Sequence, residues 1–229
     1  MRKNYKQGLI DAIPTMLGYL SISFACGVYG RIAGMTVFEI ALASILLYAG
    51  SGQFILAAMF AVRASILSII ITIFLVNLRH LLLSSSVAGK MEPLSTPKAF
   101  LLGYYLTDET FGVAINCSQN QSPLFFKWML GVNMSSHICW VAGNITGAIC
   151  ASFISNPGAI GLDFAVSAMF ISILAILIKN TKNIKKDLSI VLVTVAAALS
   201  LALLKAPNVI IIVSTVIGAA FGTVIYKCK

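Results

Sequence analysis

The sequence predicts an all-α integral membrane protein of about eight transmembrane helices. Three observations carry that expectation. Apolar residues make up 59% of the chain and charged residues 10%, against roughly 45–50% and 25% in a soluble domain, which leaves too little polar surface to cover a soluble particle. The apolar residues fall in blocks of about 20, the length that matches a bilayer's hydrocarbon core. The basic residues that give the net charge of +9 cluster at the ends of those blocks, as in membrane orientation and unlike a nucleic-acid groove.

The chain begins with Arg2, Lys3 and Lys6 before an apolar stretch. Asp11 and Pro14 at the start of that stretch, and no small-residue cleavage site, argue for a retained first span and against a signal peptide. The predicted spans are Ala12–Gly30, Phe38–Val62, Ser65–Ala88, Ala99–Asn116, Trp128–Ile154, Phe164–Ile178, Leu188–Leu204 and Val209–Tyr226. Tilt or breaks absorb the differences in length. Residues Lys205 to Asn208 read as a tight turn between the last two, so residues 188–229 form a helical hairpin within a single transmembrane domain, 1–229.

If every span crosses and the N-terminus is cytoplasmic, eleven basic residues share that side: Arg2, Lys3, Lys6, Arg63, Lys127, Lys179, Lys182, Lys185, Lys186, Lys227 and Lys229. Four lie opposite, Arg31, Lys90, Lys98 and Lys205. The bias places both termini in the cytoplasm.

Gly18–Val28 reads GYLSISFACGV and Gly103–Val113 reads GYYLTDETFGV, with the Gly-Tyr and Gly-Val pairs at matching spacing. Spans one to three (residues 1–97) and four to six (98–187) are thereby expected to be repeats. Three helices in each give the halves opposite orientation, a recurrent build of secondary transporters.

Polar residues at membrane depth mark the candidate site. In the second span, Gly50-Ser51-Gly52-Gln53 weakens the helix at its middle. Unpaired backbone at that depth is tolerated only where it is buried in protein or lines a wet cavity. Two readings stand: a discontinuous helix whose broken ends meet a substrate, or a small-residue packing face. The fifth span is also polar, with Asn133, Ser135, Ser136, His137 and Asn144. It is read either as the matching interrupted span or, through Gly143 and Gly147, as a helix-packing face.

The third span carries Asn77, Arg79 and His80. An arginine there needs a partner or water, and its guanidinium suits a carboxylate held through two parallel hydrogen bonds. Asn77 and His80 share its face. Snorkelling to the far surface, or an ion pair with an acid elsewhere, are the structural alternatives. The fourth span carries Asp108 and Glu109, which suit proton coupling, the binding of an ammonium group, or a structural pair with Arg79. No cofactor is expected. The sequence holds no Walker loop or dinucleotide fingerprint, the five cysteines form no CxxC pair, and two histidines without a spaced third ligand make no metal site. Ser51 lies outside a nucleophile elbow, so the chain is not read as an enzyme.

These residues carry a resemblance. Pro14 and Gly18, Ala49-Gly50-Ser51-Gly52-Gln53-Phe54, Asn77-Leu78-Arg79-His80, Thr107-Asp108-Glu109 and Asp163-Phe164-Ala165 resemble, in order and spacing over most of residues 10–180, the AzlC family, the large subunit of two-component branched-chain amino acid exporters in bacteria. The resemblance implies export of leucine, isoleucine, valine or similar amino acids across the bacterial inner membrane, together with a small AzlD-type membrane partner. Gly50, Ser51, Gly52, Gln53, Asn77, Arg79 and His80 are then expected to bind the substrate, and Asp108 or Glu109 to hold its amine or carry a proton. A channel, or a scaffold subunit whose partner determines transport, is the alternative function.

Overall fold

The computed structural model describes residues 4–120, 123–154, 183–203 and 210–227, with single positions between 164 and 178. Asp163, most of the sixth predicted span and the turn at Lys205–Asn208 lie outside the described residues. Two compact units divide the chain, Met1–Ile171 and Ser172–Lys229. Among the described residues the structure is helical apart from a lone bridge between Met91 and Leu124.

In the first unit, α1 (Tyr5–Asp11) and α2 (Ile13–Ile32) follow each other with only Ala12 between them. The Asn4 side chain accepts the Gln7 amide at 2.9 Å and caps α1. Pro14 sits in the first turn of α2, where its missing N–H costs nothing. Gly34 ends α2 with φ +95°, a left-handed position that lets the Met35 N–H reach back to the Gly30 carbonyl (3.0 Å).

The second apolar segment is where expectation and structure part. A capping box between Thr36 and Glu39 starts α3 (Val37–Leu46), and α4 (Gly50–Ala61) follows after a break at Leu47–Ala49. The two lie antiparallel. The Gln53 amide donates to the Ser44 hydroxyl at 2.8 Å, and Ile40 and Ala57 share one apolar cluster with Met35. A side chain on Gly34 would reach within 4.0 Å of the Phe60 ring, whereas a straight helix would put those residues roughly 40 Å apart. This segment therefore turns back at its middle and leaves at the end where it came in.

Helices α5 (Ile66–Asn77) and α6 (Arg79–Ala88) follow, joined at Leu78. Together they form a 23-residue apolar rod of mean hydropathy 2.2, long enough to cross a membrane, as is α2. The fourth segment repeats the behaviour of the second. Helix α7 (Thr96–Tyr104) stops, Tyr105–Thr107 turn, and α8 (Asp108–Asn120) returns. Leu102, Ala114 and Cys117 share a core with Val87, Leu124 and Trp128. Leu124 donates its N–H to the Lys90 carbonyl (2.8 Å), and Glu92 caps the next helix by accepting the Phe126 N–H (2.9 Å). Both ends of the α7–α8 pair thus lie where α9 begins.

Helix α9 (Phe126–Cys150) is unbroken over 25 residues, about 37 Å at 1.5 Å per residue. It runs parallel to α1 and α2 at the closest approach helices can make. A Cβ on Gly131 would overlap the Tyr5 carbonyl, one on Gly147 the Phe24 carbonyl, and one on Gly27 the Asn144 carbonyl. Of the two readings of the fifth span, the helix-packing face is the one the structure shows: Gly143 and Gly147 lie against α2, and the second interruption belongs to span four.

The placement of charge changes with the path. Lys90 and Lys98 were expected opposite Lys127. The bridge to Leu124, and Lys98 lying 5.4 Å over the Phe126 ring, put them at the same end as Lys127. Arg63, which ends α4 with φ +51°, lies instead at the end of Arg31. The two turned-back pairs enter from opposite ends, and each is followed by a long helix running away from that end. That arrangement is inverted, but in a different register from the Gly18/Gly103 match, since Gly18 lies within α2 and Gly103 at the end of α7.

The second unit contains α10 (Ile184–Leu203) and α11 (Ile210–Lys227), packed antiparallel. The Lys186 ammonium donates to the Ile225 carbonyl (2.7 Å), the Tyr226 hydroxyl to Asp187 (2.6 Å), and Gly222 faces Ile190.

Candidate functional site

The tips of the two turned-back pairs meet between the long helices. Tyr48 occupies the first tip with φ +39°, a conformation that costs a bulky L-residue roughly 1–3 kcal/mol unless its surroundings fix it. Its ring is held edge-on to His137 of α9 (4.4 Å between centroids), to Tyr19 of α2 (6.4 Å) and to Tyr105 of the second tip (6.3 Å). The Tyr104 hydroxyl donates to the Ile45 carbonyl at 2.9 Å, tying the second tip to the first.

Arg79 stands at the junction. It opens α6 at the joint of the third segment, and its Nη2 reaches both tips: 2.7 Å to the Ser51 hydroxyl, in the first turn of α4, and 2.8 Å to Asp108, the first residue of α8. Its Nε finds no partner among the described residues. Glu109 accepts the Tyr19 hydroxyl at 2.6 Å, and that oxygen also lies against the Thr107 hydroxyl.

The two helix starts differ in what they offer. Helix α4 begins Gly50-Ser51-Gly52 with no side-chain cap on Ala49, so its first N–H groups, at the positive end of the helix dipole, remain open to an anion. Helix α8 begins with two carboxylates, and Thr107 accepts the Thr110 N–H through its hydroxyl (3.4 Å). Arg79 beside the bare start of α4 suits a carboxylate. Asp108, Glu109 and the Tyr19 hydroxyl suit an ammonium group. The cavity that they line with Tyr48, His80 and Trp140 holds only about 10 Å³, room for about one water. A larger solute enters only if the tips part.

The structure brings Gly50, Ser51, Arg79, His80, Asp108 and Glu109 to this cavity. Asn77 lies one turn before His80, whose Nδ1 is 3.2 Å from the Asn77 carbonyl oxygen. The Asn77 amide faces Gly52, where a Cβ would come within 3.3 Å of its oxygen. Gln53 sits elsewhere, 3% exposed and fully engaged. Its amide nitrogen donates to Ser44 (2.8 Å) and Asn144 (3.0 Å), and its oxygen accepts the Trp140 indole N–H (2.9 Å). It fastens α3, α4 and α9 behind the cavity. No group of three His, Cys, Asp or Glu side chains gathers among the described residues.

Sequence reading missed Tyr19, Tyr48 and Trp140, and met Thr107 only as part of the family motif. It took Asp108 and Glu109 for acids in mid-helix. Thr107 followed by two acids is also the pattern of a helix start, and that signal was enough to place a break in the fourth segment.

The comparisons with known proteins agree with this picture. The family model described as AzlC protein matches residues 14–154, the stretch that contains both tips and all three long helices of the first unit. The chain is 33% identical over 181 residues to an uncharacterized membrane protein of Archaeoglobus fulgidus, covering 78% of this chain and 77% of that one. It is 30% identical over 175 residues to the inner membrane protein YgaZ of Escherichia coli, covering 74% and 71%. It is 28% identical over 163 residues to the branched-chain amino acid transport protein AzlC of Bacillus subtilis, covering 70% and 63%. No solved structure matches. With the matched segment spanning the whole of the candidate site, the chain belongs to the AzlC family of membrane proteins.

Proposed function

We propose that this chain is a secondary transporter that exports branched-chain or similar apolar amino acids across a bacterial inner membrane, coupled to protons, by alternating access. The observation that carries the reading is Arg79, a cation at the meeting point of two half-helix tips that enter from opposite ends, bonded to Ser51 on one and to Asp108 on the other. Half-helices whose ends meet at mid-depth are a recurrent substrate site of secondary transporters.

In this mechanism the substrate carboxylate takes the place of Asp108 on Arg79 and bonds the open N–H groups of Gly50 and Ser51. Asp108 and Glu109 take up the ammonium group or a proton. The two inverted groups, α3–α4 with α5–α6 and α7–α8 with α9, rock about the site, and each tip opens in turn toward its own side. With segments two and four turned back, the first unit crosses by α2, α5–α6 and α9, and the concentration of lysines around Lys6, Lys98 and Lys127 makes the side where the chain begins the cytoplasm, the side to which the sequence also assigns the C-terminus. A small AzlD-type membrane subunit is the partner.

The test uses inside-out vesicles carrying this chain with and without the co-expressed small partner, an imposed proton gradient and labelled leucine. Accumulation that follows the gradient and disappears in Arg79→Ala is expected. No accumulation by the unaltered chain with its partner present overturns the substrate and the coupling.

A further inference from the structure

A second cavity, of about 290 Å³, shares no lining residue with the first. Ser84 and Val87 of α6, Leu102 and Gly103 of α7, Leu106 of the second tip and Met129 of α9 line it. Met91 and Leu94 line it at the end at which α9 begins. Its size approaches the roughly 300 Å³ at which pockets for small ligands start, and its walls are almost wholly apolar. The polar cavity around Arg79 has the opposite character, with charge but no room.

One turn of chain separates the two. Leu106, 4% exposed, is wall to the apolar cavity, while its neighbours Thr107, Asp108 and Glu109 are wall to the polar one. Leu106 lies in the turn between α7 and α8, where its N–H bonds back to the Gly103 carbonyl at 3.3 Å. Displacement of Leu106 would join the cavities into one space with a charged end and an apolar end. An α-amino acid with a branched hydrocarbon side chain has that same division.

We propose that the 290 Å³ cavity is a vestibule through which apolar amino acids reach Arg79 from the side where α9 begins, with Leu106 as its door and the cavity as the seat of the substrate's side chain. The inference rests on the transport reading above and adds the route, the gate and the determinant of side-chain size.

Gly103 offers a clean probe, because a Cβ there would meet only the Ser84 hydroxyl, at 3.9 Å. A larger side chain extends into the cavity without touching backbone. In the vesicle assay Gly103→Leu is expected to reduce the preference for leucine over alanine about tenfold, with Ser84→Leu as a second filling variant should the first fold poorly. A separate readout needs no transport. In Ser51→Cys, reaction with a small membrane-impermeant thiol reagent applied from the side of α9's start should quicken severalfold when Leu106→Ala is added, measured as the increment over the native cysteines. An unchanged leucine-to-alanine preference in an actively transporting variant overturns the vestibule, as does a labelling rate indifferent to Leu106 or faster only from the opposite side. A lipid chain seated in the cavity gives the first two results. If the unaltered chain moves no amino acid at all, the transport reading falls and labelling alone decides whether Leu106 gates the route.

Discussion

Arg79 and Asp108 form an ion pair of 2.8 Å that joins the joint of one long helix to the tip of a turned-back pair. Their side chains are 28% and 16% exposed, so neither is fully in water nor fully out of it. The pair is worth less than a buried one, yet removing one partner leaves the other charge facing the tips. Arg79→Gln and Asp108→Asn should each lower thermal stability in detergent. The double variant should lose less than their sum, with a coupling of about 1–3 kcal/mol. Additive losses would show that the two groups do not sense each other. Transport should fail in all three, because each lacks a group on which the substrate depends.

The turned-back segments predict a topology that differs from a chain in which every apolar block crosses. A cysteine introduced at Thr96 should react with an impermeant reagent from the same side as one at Lys127, and one at Ala64 from the opposite side. Straight crossings of segments two and four predict the reverse relation between Ala64 and Lys127. This labelling pattern therefore decides between the two paths without reference to function.

The glycines of α9 should differ sharply in tolerance from those that face outward. Gly147→Ala drives a methyl group into the Phe24 backbone, and its cost should reach about 3 kcal/mol as the two helices are forced apart. Gly18→Ala meets nothing within 4 Å and should stabilise α2 by roughly 0.5–1 kcal/mol, the helical advantage of alanine over glycine. Thermal unfolding of the purified protein, or its yield in the membrane, reads both.

Gln53 should behave as a fastening. Gln53→Leu leaves the Trp140 indole, the Ser44 hydroxyl and the Asn144 amide short of a partner, and stability should fall by about 1–3 kcal/mol for each group left unsatisfied. The protein that still folds should keep its KM for leucine. A raised KM with unchanged stability would instead make Gln53 a direct substrate contact.

Much of this molecule was legible before any coordinates. Composition and block length gave the membrane class. Gly50-Ser51-Gly52 located the break in the second segment to within a few residues, because two glycines flanking a serine weaken a helix, with a small-residue packing face as the other reading. The resemblance in Gly50–Phe54, Asn77–His80 and Thr107–Glu109 named Gly50, Ser51, Arg79, His80, Asp108 and Glu109, which do converge, together with Gln53, which does not. What hydropathy cannot tell is whether a broken apolar block continues or turns back. Helices α3 and α4 have the same composition in either geometry, and only contacts such as Gly34 with Phe60 separate them. The same limit hid the fourth segment's turn, since Tyr105-Leu106 is as apolar as an ordinary helix interior. The fifth segment left two readings open in the sequence, a broken span or a packing face, and only the helix lying against its glycines decides for the second.

That close seam between α2 and α9 also orders events during synthesis. Gly27 and Asn144, which meet across it, are more than a hundred residues apart, and at roughly 5–20 residues per second the ribosome needs several seconds to deliver the second after the first. Through that interval the nascent α2 stands in the translocation machinery or the lipid with its glycine face uncovered. Both turned-back pairs emerge before the helix that will brace them. The first half of the protein is therefore assembled around an absent member, and α9 arrives as a closing wedge. Slow elongation or a ribosomal pause ahead of Phe126 should prolong the exposure of those half-helices to quality-control proteases, and a synonymous codon change there could lower yield without altering a single side chain.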